Sequence, residues 1–232
     1  MRFIEKTIGQ VLDMRAECTP NKPALVVEDG IYTWKDIRNI VNHICEDMLG
    51  MGIKKGDHVG IIGINSDSWI FHYFAAVKLG AVAVLFNTRF TRAEIERCVA
   101  LTELRHFYYS RNFEDIRYED IMEQLLYPKS TVRSCCFMEK TYEQWQTIAK
   151  EGESIDIKPS EDYRATASIL FTSGTTGNSK GVQLTHYSLM NNAIAMAENM
   201  GWNEDDRMLT TVPLFHTFGI TGCILAMLHS CY

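Results

Sequence analysis

The stretch FTSGTTGNSKGVQLTH, residues 171–186, gathers anion-binding chemistry into one loop's length. Thr172, Ser173, Gly174, Thr175, Thr176 and Gly177 carry hydroxyls or no side chain at all. Backbone amides and hydroxyls can therefore converge on one ligand, and the glycines reach conformations closed to other residues. Lys180 adds a positive point charge. A phosphate chain is the ligand this set suits. Ala167–Phe171 reads as a strand entering the loop, and Val182, Gln183 and Leu184 read as a second strand that closes a hairpin-like turn. Gly174 and Lys180 have the separation of a Walker A loop, but Ser179 stands at the sixth position and Gly181 at the eighth, so magnesium ligation of that type is not supported. No GxGxxG is present either. By residue type alone the run could also be an ordinary surface turn.

The rest of the chain limits what such a loop could serve. With 46% hydrophobic and 22% charged residues in 232, the composition is that of a globular protein and disfavours disordered, collagen-like and disulfide-scaffold classes. Twenty-three basic against 29 acidic residues leave a net charge of −6, which argues against nucleic-acid binding by general basicity. Seven cysteines, Cys18, Cys45, Cys98, Cys135, Cys136, Cys223 and Cys231, form no CxxC pair and suit buried thiols in a reducing compartment. The histidines lack metal-ligand spacing, and no residue is assigned to a metal. The N-terminus lacks the apolar run of a signal peptide, so a cytoplasmic location is expected. Trp69–Phe86, interrupted by His72, Lys78 and Gly80, reads as a helix turning into a strand, and Phe218–Leu228 is too short to span a membrane.

Periodicity places helices at Thr7–Glu17, from a Thr33 cap to Gly50, at Asp67–Leu79 with Gly80 as the stop, at Ala93–Leu101 behind a Thr91 cap with Glu94, and at Tyr142–Lys150. Strands are expected at Ala24–Glu28, Ile31–Trp34, His58–Ile64, Ala81–Phe86, Leu104–Tyr109 and Val132–Phe137. This alternation predicts an α/β fold with a mainly parallel sheet flanked by helices. The polar stretch 151–165 is a possible subdomain boundary.

The ordered run through 171–186 resembles the phosphate-binding signature of the adenylate-forming enzymes, the superfamily of acyl-CoA synthetases, luciferase and peptide-synthetase adenylation domains. IYTWKDI (31–37), KKGDHVGI (54–61), KLGAVAVLFNTRF (78–90) and VPLFHTFGI (212–220) are similar to further family motifs in the same order, so the resemblance covers essentially the whole chain. Phe171 stands where the family often has tyrosine, and Asn178 and Ser179 where it often has Lys-Pro. The resemblance implies that Thr172, Ser173, Gly174, Thr175, Thr176, Gly177 and Lys180 hold the β- and γ-phosphates of ATP while a carboxylate attacks the α-phosphate. It implies that His216 and Lys180 serve catalysis, with Phe215, His216, Thr217 and Gly219 bordering the acyl channel. ATP, Mg2+ and CoA are the implied cofactors, and a carboxylic acid and CoA the implied partners.

The family's adenine strand, its Thr-Glu pair, its ribose-binding aspartate and its mobile C-terminal lid domain are not found in this sequence. The chain is thus expected to be an incomplete N-terminal AMP-binding domain, 1–232, whose missing C-terminal part belongs to the same enzyme and without which it is inactive. The parent activity implied is an ATP-dependent acyl-CoA synthetase that forms an acyl-AMP, releases pyrophosphate and transfers the acyl group to CoA. Two other readings stay open: an adenylation domain that loads an amino or aryl acid onto a carrier protein, and a non-catalytic fragment.

Overall fold

The computed structural model describes residues 3–110, 112–126, 130–172 and 180–229. Helix α1 (Ile8–Cys18) starts at Thr7, whose hydroxyl accepts from the Gln10 amide while the Gln10 side chain returns to the Thr7 amide. Strands β1 (Pro23–Val27) and β2 (Gly30–Thr33) form an antiparallel hairpin. The same reciprocal cap, Thr33 with Asp36, starts α2 (Trp34–Gly50). Strand β3 (His58–Ile62) leads to α3 (Asp67–Leu79), capped by Ser66 and stopped at Gly80, whose φ of 77° suits a residue without Cβ. Strand β4 (Val82–Leu85) precedes α4 (Arg92–Thr102), which has the Thr91–Glu94 box read in the sequence.

Strand β5 (His106–Tyr109) is followed by a two-residue-strand hairpin, β6 (Asn112–Phe113) and β7 (Ile116–Arg117), and by α5 (Tyr118–Leu125). Strand β8 (Ser134–Phe137) and α6 (Tyr142–Glu151) complete the first part. After the polar connection come β9 (Thr166–Thr172), β10 (Lys180–Thr185) and α7 (His186–Met200). A π-type helical segment, Phe218–Leu225, runs into the short α8 (Ala226–His229).

Six strands make one sheet in the order β10-β9-β4-β3-β5-β8. All neighbours are parallel except β10, which pairs antiparallel with β9 at one edge. The alternation of side chains sorts the apolar residues onto two faces. Val59, Ile61, Ala83, Leu85, Tyr108 and Leu170 pack under α1, α2, α3, α6 and α7, whereas Ile62, Val82, Val84, Phe86, Phe107 and Ile169 pack under α4 and α5. The expected fold class is therefore observed.

Strand β3 is shorter than the expected His58–Ile64. The chain leaves the sheet at Gly63, where a Cβ would lie 2.6 Å from Met138 Cε and 2.8 Å from Ser110 Oγ, so the strand end is closed over by its neighbours. The polar connection at 151–165 is laid along the first part of the chain. Asn42 donates to Ile155 C=O at 2.7 Å, and Thr7 Oγ1 to Ser160 C=O at 2.8 Å. The Ser160 amide in turn donates to Lys78 C=O at 2.8 Å. The connection then returns the chain to the same sheet, beside β4.

Candidate functional site

Open α/β sheets present ligands beyond the carboxyl ends of their parallel strands. At that edge of this sheet lie the end of β9, the start of β10, the turn from β4 to α4 and the turn from β3 to α3. Thr172 closes β9 and Lys180 opens β10, and the two are cross-strand partners. Both are exposed, so a hydroxyl and an ammonium stand side by side at the mouth of the hairpin. Both are donors to an anion, the set a phosphate chain requires. Ser173, Gly174, Thr175, Thr176 and Gly177 lie outside the described residues.

The base of the hairpin is held by aromatic packing. Phe171, one residue before Thr172, lies 5.3 Å from Phe86 and 6.1 Å from Phe90, ring centre to ring centre. Phe90 comes from the β4–α4 turn, which is tied to the β6–β7 region in two ways. Tyr118 Oη donates to Thr88 C=O at 2.8 Å, and burial pushes this hydroxyl well above its ordinary pKa, so it stays a donor. Arg89 pairs with Glu114 at 3.0 Å and covers the Phe113 ring. The exposed ion pair contributes little to stability by itself; the buried Tyr118 bond is the firmer tie.

The second group of sequence-predicted residues follows Val212. Phe215 is buried and Gly219 is buried, while His216 and Thr217 are exposed. The His216 amide donates to Pro213 C=O at 3.2 Å and the Ile220 amide to His216 C=O at 3.1 Å, so a turn at Pro213–His216 leads into the π-type segment. Such wide helical turns are rare and concentrate at functional positions. The Phe215 and His216 rings are 4.5 Å apart. Gly219 sits against the Pro213 carbonyl, where a Cβ would be 2.3 Å from the oxygen.

Asn65, in the β3–α3 turn, joins this segment to the sheet. Its Nδ2 donates to Val212 C=O at 2.8 Å and its Oδ1 accepts from the Leu214 amide at 2.9 Å. The hairpin mouth hangs on β9 and the Pro213–His216 turn on β3, with only β4 between them, about 10 Å from strand to strand. Sequence reasoning did not single out Asn65. An asparagine between a strand and a capped helix is an ordinary turn residue, and its partners are 147 and 149 positions away.

Among the described residues no three His, Cys, Asp or Glu side chains converge as a metal site, so none is assigned to magnesium. Two histidines away from this edge are buried and neutral. His72 bonds through Nδ1 to Ser68 C=O, and His186 Nδ1 accepts from the Ile8 amide; burial lowers each pKa to about 4. Their roles are internal.

The profile of the AMP-binding enzyme family matches residues 12–231. The chain is 30% identical over 218 residues to 2-succinylbenzoate–CoA ligase of Bacillus pumilus, covering 93% of this chain and 41% of that protein. The structure of o-succinylbenzoate coenzyme A synthetase from Bacillus subtilis in complex with AMP superposes with a TM-score of 0.75 at 26% identity, over 95% of this chain and 54% of that one. The anthranilate CoA ligase AuaEII, solved with anthranoyl-AMP, has the same fold, with a TM-score of 0.85 at 23% identity, over all of this chain and 45% of that one. The chain thus spans about half the length of the proteins it matches or less. Extending over nearly all of its residues, the family match agrees with the parallel sheet and the hairpin at its carboxyl edge: the chain belongs to the AMP-binding enzyme family.

Proposed function

We propose that this chain is the N-terminal part of an ATP-dependent acid–CoA ligase and supplies its phosphate-binding hairpin and one wall of its acyl site. The observation that carries the reading is the hydroxyl–ammonium pair Thr172–Lys180 at the mouth of a hairpin on the carboxyl edge of the sheet, continuous with the hydroxyl- and glycine-rich run between them. The CoA-ligase names of the relatives support a thioester product over loading of a carrier protein.

In this reading a carboxylate oxygen bonds to the α-phosphorus of ATP as the bond from that phosphorus to the bridging oxygen breaks, and the electron pair leaves with pyrophosphate. Charge builds on the departing oxygens, and donors already in place there lower the barrier without reorganising. Lys180 and the hydroxyls of Thr172, Ser173, Thr175 and Thr176 are the proposed donors, with Gly174 and Gly177 admitting the phosphates close to the backbone. His216 is proposed to face the acyl carboxylate, with Phe215, Thr217 and Gly219 beside it. CoA then supplies a sulfur that bonds to the acyl carbon as AMP leaves. Magnesium would accompany the phosphates, and no residue of this chain is given to it.

Residues 1–232 are taken as one incomplete AMP-binding domain, with 151–165 as its internal connection and the lid domain in the remainder of the protein. A reducing, cytoplasmic setting is proposed on the six described cysteines, all free thiols. No described helix is long and apolar enough to cross a membrane.

The test is ATP–pyrophosphate exchange by the full-length protein with octanoate and benzoate as probe acids, followed by mass detection of the CoA thioester. Acid-dependent exchange with AMP as the nucleotide product is expected. Acid-dependent release of ADP and phosphate would contradict the reading. The 232-residue chain alone is expected to show no exchange.

A further inference from the structure

Among the described residues, 208–215 belong to no strand, and their backbone is joined to the β3–α3 turn by two hydrogen bonds that share one side chain. Asn65 donates to the carbonyl before Pro213 and accepts from the amide after it. Pro213 itself has no N–H to offer, so a strand could not pair through this point without losing a bond. The Asn65 amide, with one donor and one acceptor in a plane, supplies the two bonds that straddle the proline.

What lies on either side makes the clamp consequential. Asn65 is placed by Ser66, whose hydroxyl caps α3 by accepting from the Trp69 amide at 3.1 Å, so its backbone is fixed at the carboxyl end of the central strand β3. On the other side, the Pro213 carbonyl accepts from the His216 amide and abuts Gly219. Leu214 and Phe215 are buried, while Pro213, His216, Thr217 and Phe218 are exposed at the corner. The His216 backbone is therefore held against the sheet by the Asn65 bonds together with the burial of Leu214 and Phe215.

We propose that Asn65 is a positioning residue: its amide clamp on Val212 and Leu214 sets the His216 corner against the sheet edge that carries Thr172 and Lys180. The functional half of this rests on the ligase reading above. Among the described residues the bonds of the Asn65 side chain go to Val212 and Leu214 and not to Thr172 or Lys180, so it acts through the 212–216 backbone.

Two variants separate the clamp from general damage. Asn65→Ala removes both bonds, whereas Asn65→Asp keeps the acceptor for the Leu214 amide and loses the donor. In the 232-residue chain, hydrogen exchange at Leu214 and His216 is expected to quicken at least tenfold in Asn65→Ala with β3, β4 and β9 unchanged, and Asn65→Asp is expected to retain protection at Leu214. Unchanged exchange at 212–216, or loss spread equally over the sheet, would overturn the clamp.

In the full-length protein, Asn65→Ala is expected to raise KM for octanoate or benzoate about tenfold while KM for ATP stays within twofold, and Asn65→Asp to recover part of the loss. Equal rises in both KM values, or no change in either, would overturn the positioning role. Should the wild-type full-length protein activate neither acid, the ligase reading loses its support, while the exchange pattern still decides whether Asn65 holds the corner.

Discussion

Gly219 has no room for a side chain: a Cβ there would meet Pro213 O at 2.3 Å and Leu214 Cα at 2.9 Å, both backbone atoms that cannot swing aside. Gly219→Ala should therefore push the π-type segment off the Pro213 turn and cost about 1–3 kcal/mol, the range for overfilling a packed site. Equilibrium denaturation would register it as a lower midpoint, and an unchanged midpoint would refute the close approach. At this scale the sequence is readable where residue type is itself the chemistry. Thr172 and Lys180 are recognisable as donors wherever the fold puts them, and the structure places them as direct cross-strand partners. Asn65 is not recognisable, because its importance lies in what it meets rather than in what it is. The same holds for Tyr118, whose hydroxyl reaches Thr88 from 30 residues away.

The helices are largely legible because their starts are chemical. Thr33 and Thr91 each accept from an amide three residues on and donate their own amide to that residue's side chain, and Gly80 takes the left-handed conformation that ends α3. The β6–β7 hairpin was not foreseen, since strands of two residues are too short to display a period. One element junction carries a pH dependence. His186, the first residue of α7, uses Nδ1 to accept the Ile8 amide at the start of α1, and burial holds its pKa near 4. Asp162 raises that value slightly and Lys55 lowers it, but burial dominates.

In the unfolded chain the imidazole takes a proton near pH 6.5, whereas the folded one does not until about pH 4. Between those values the unfolded state binds more protons, so stability is full above 6.5 and falls as the pH drops toward 4. The contribution at the acid end is on the order of 3 kcal/mol. His186→Asn keeps an acceptor for the Ile8 amide and removes the titration, so its stability should fall less steeply from pH 6.5 to 4. Parallel wild-type and variant curves would rule this junction out as a source. His72, likewise lowered to about 4, leaves part of the slope in place.

For the molecule as a whole, strand order is what local patterns could not supply. Parallel pairing joins β9 to β4 across some eighty intervening residues, with no turn to announce it. The polar stretch 151–165 reads in isolation as a linker, yet it is pinned to Lys78, Thr7 and Asn42, and both sides of it share one sheet. Chemical unfolding should accordingly give a single transition, with tryptophan fluorescence and far-UV circular dichroism coinciding. Two separated transitions would divide the chain at that stretch.

The shared sheet is also what brings the hairpin and the His216 corner to one edge, where adenylation is proposed to take place. The deciding measurement is acid-dependent ATP–pyrophosphate exchange in the full-length protein carrying Lys180→Ala. Loss of a preorganised donor to the departing charge should slow exchange about a hundredfold or more, with the midpoint of unfolding unchanged because Lys180 is exposed. Exchange at the wild-type rate would rule out Lys180 as a donor to the departing pyrophosphate.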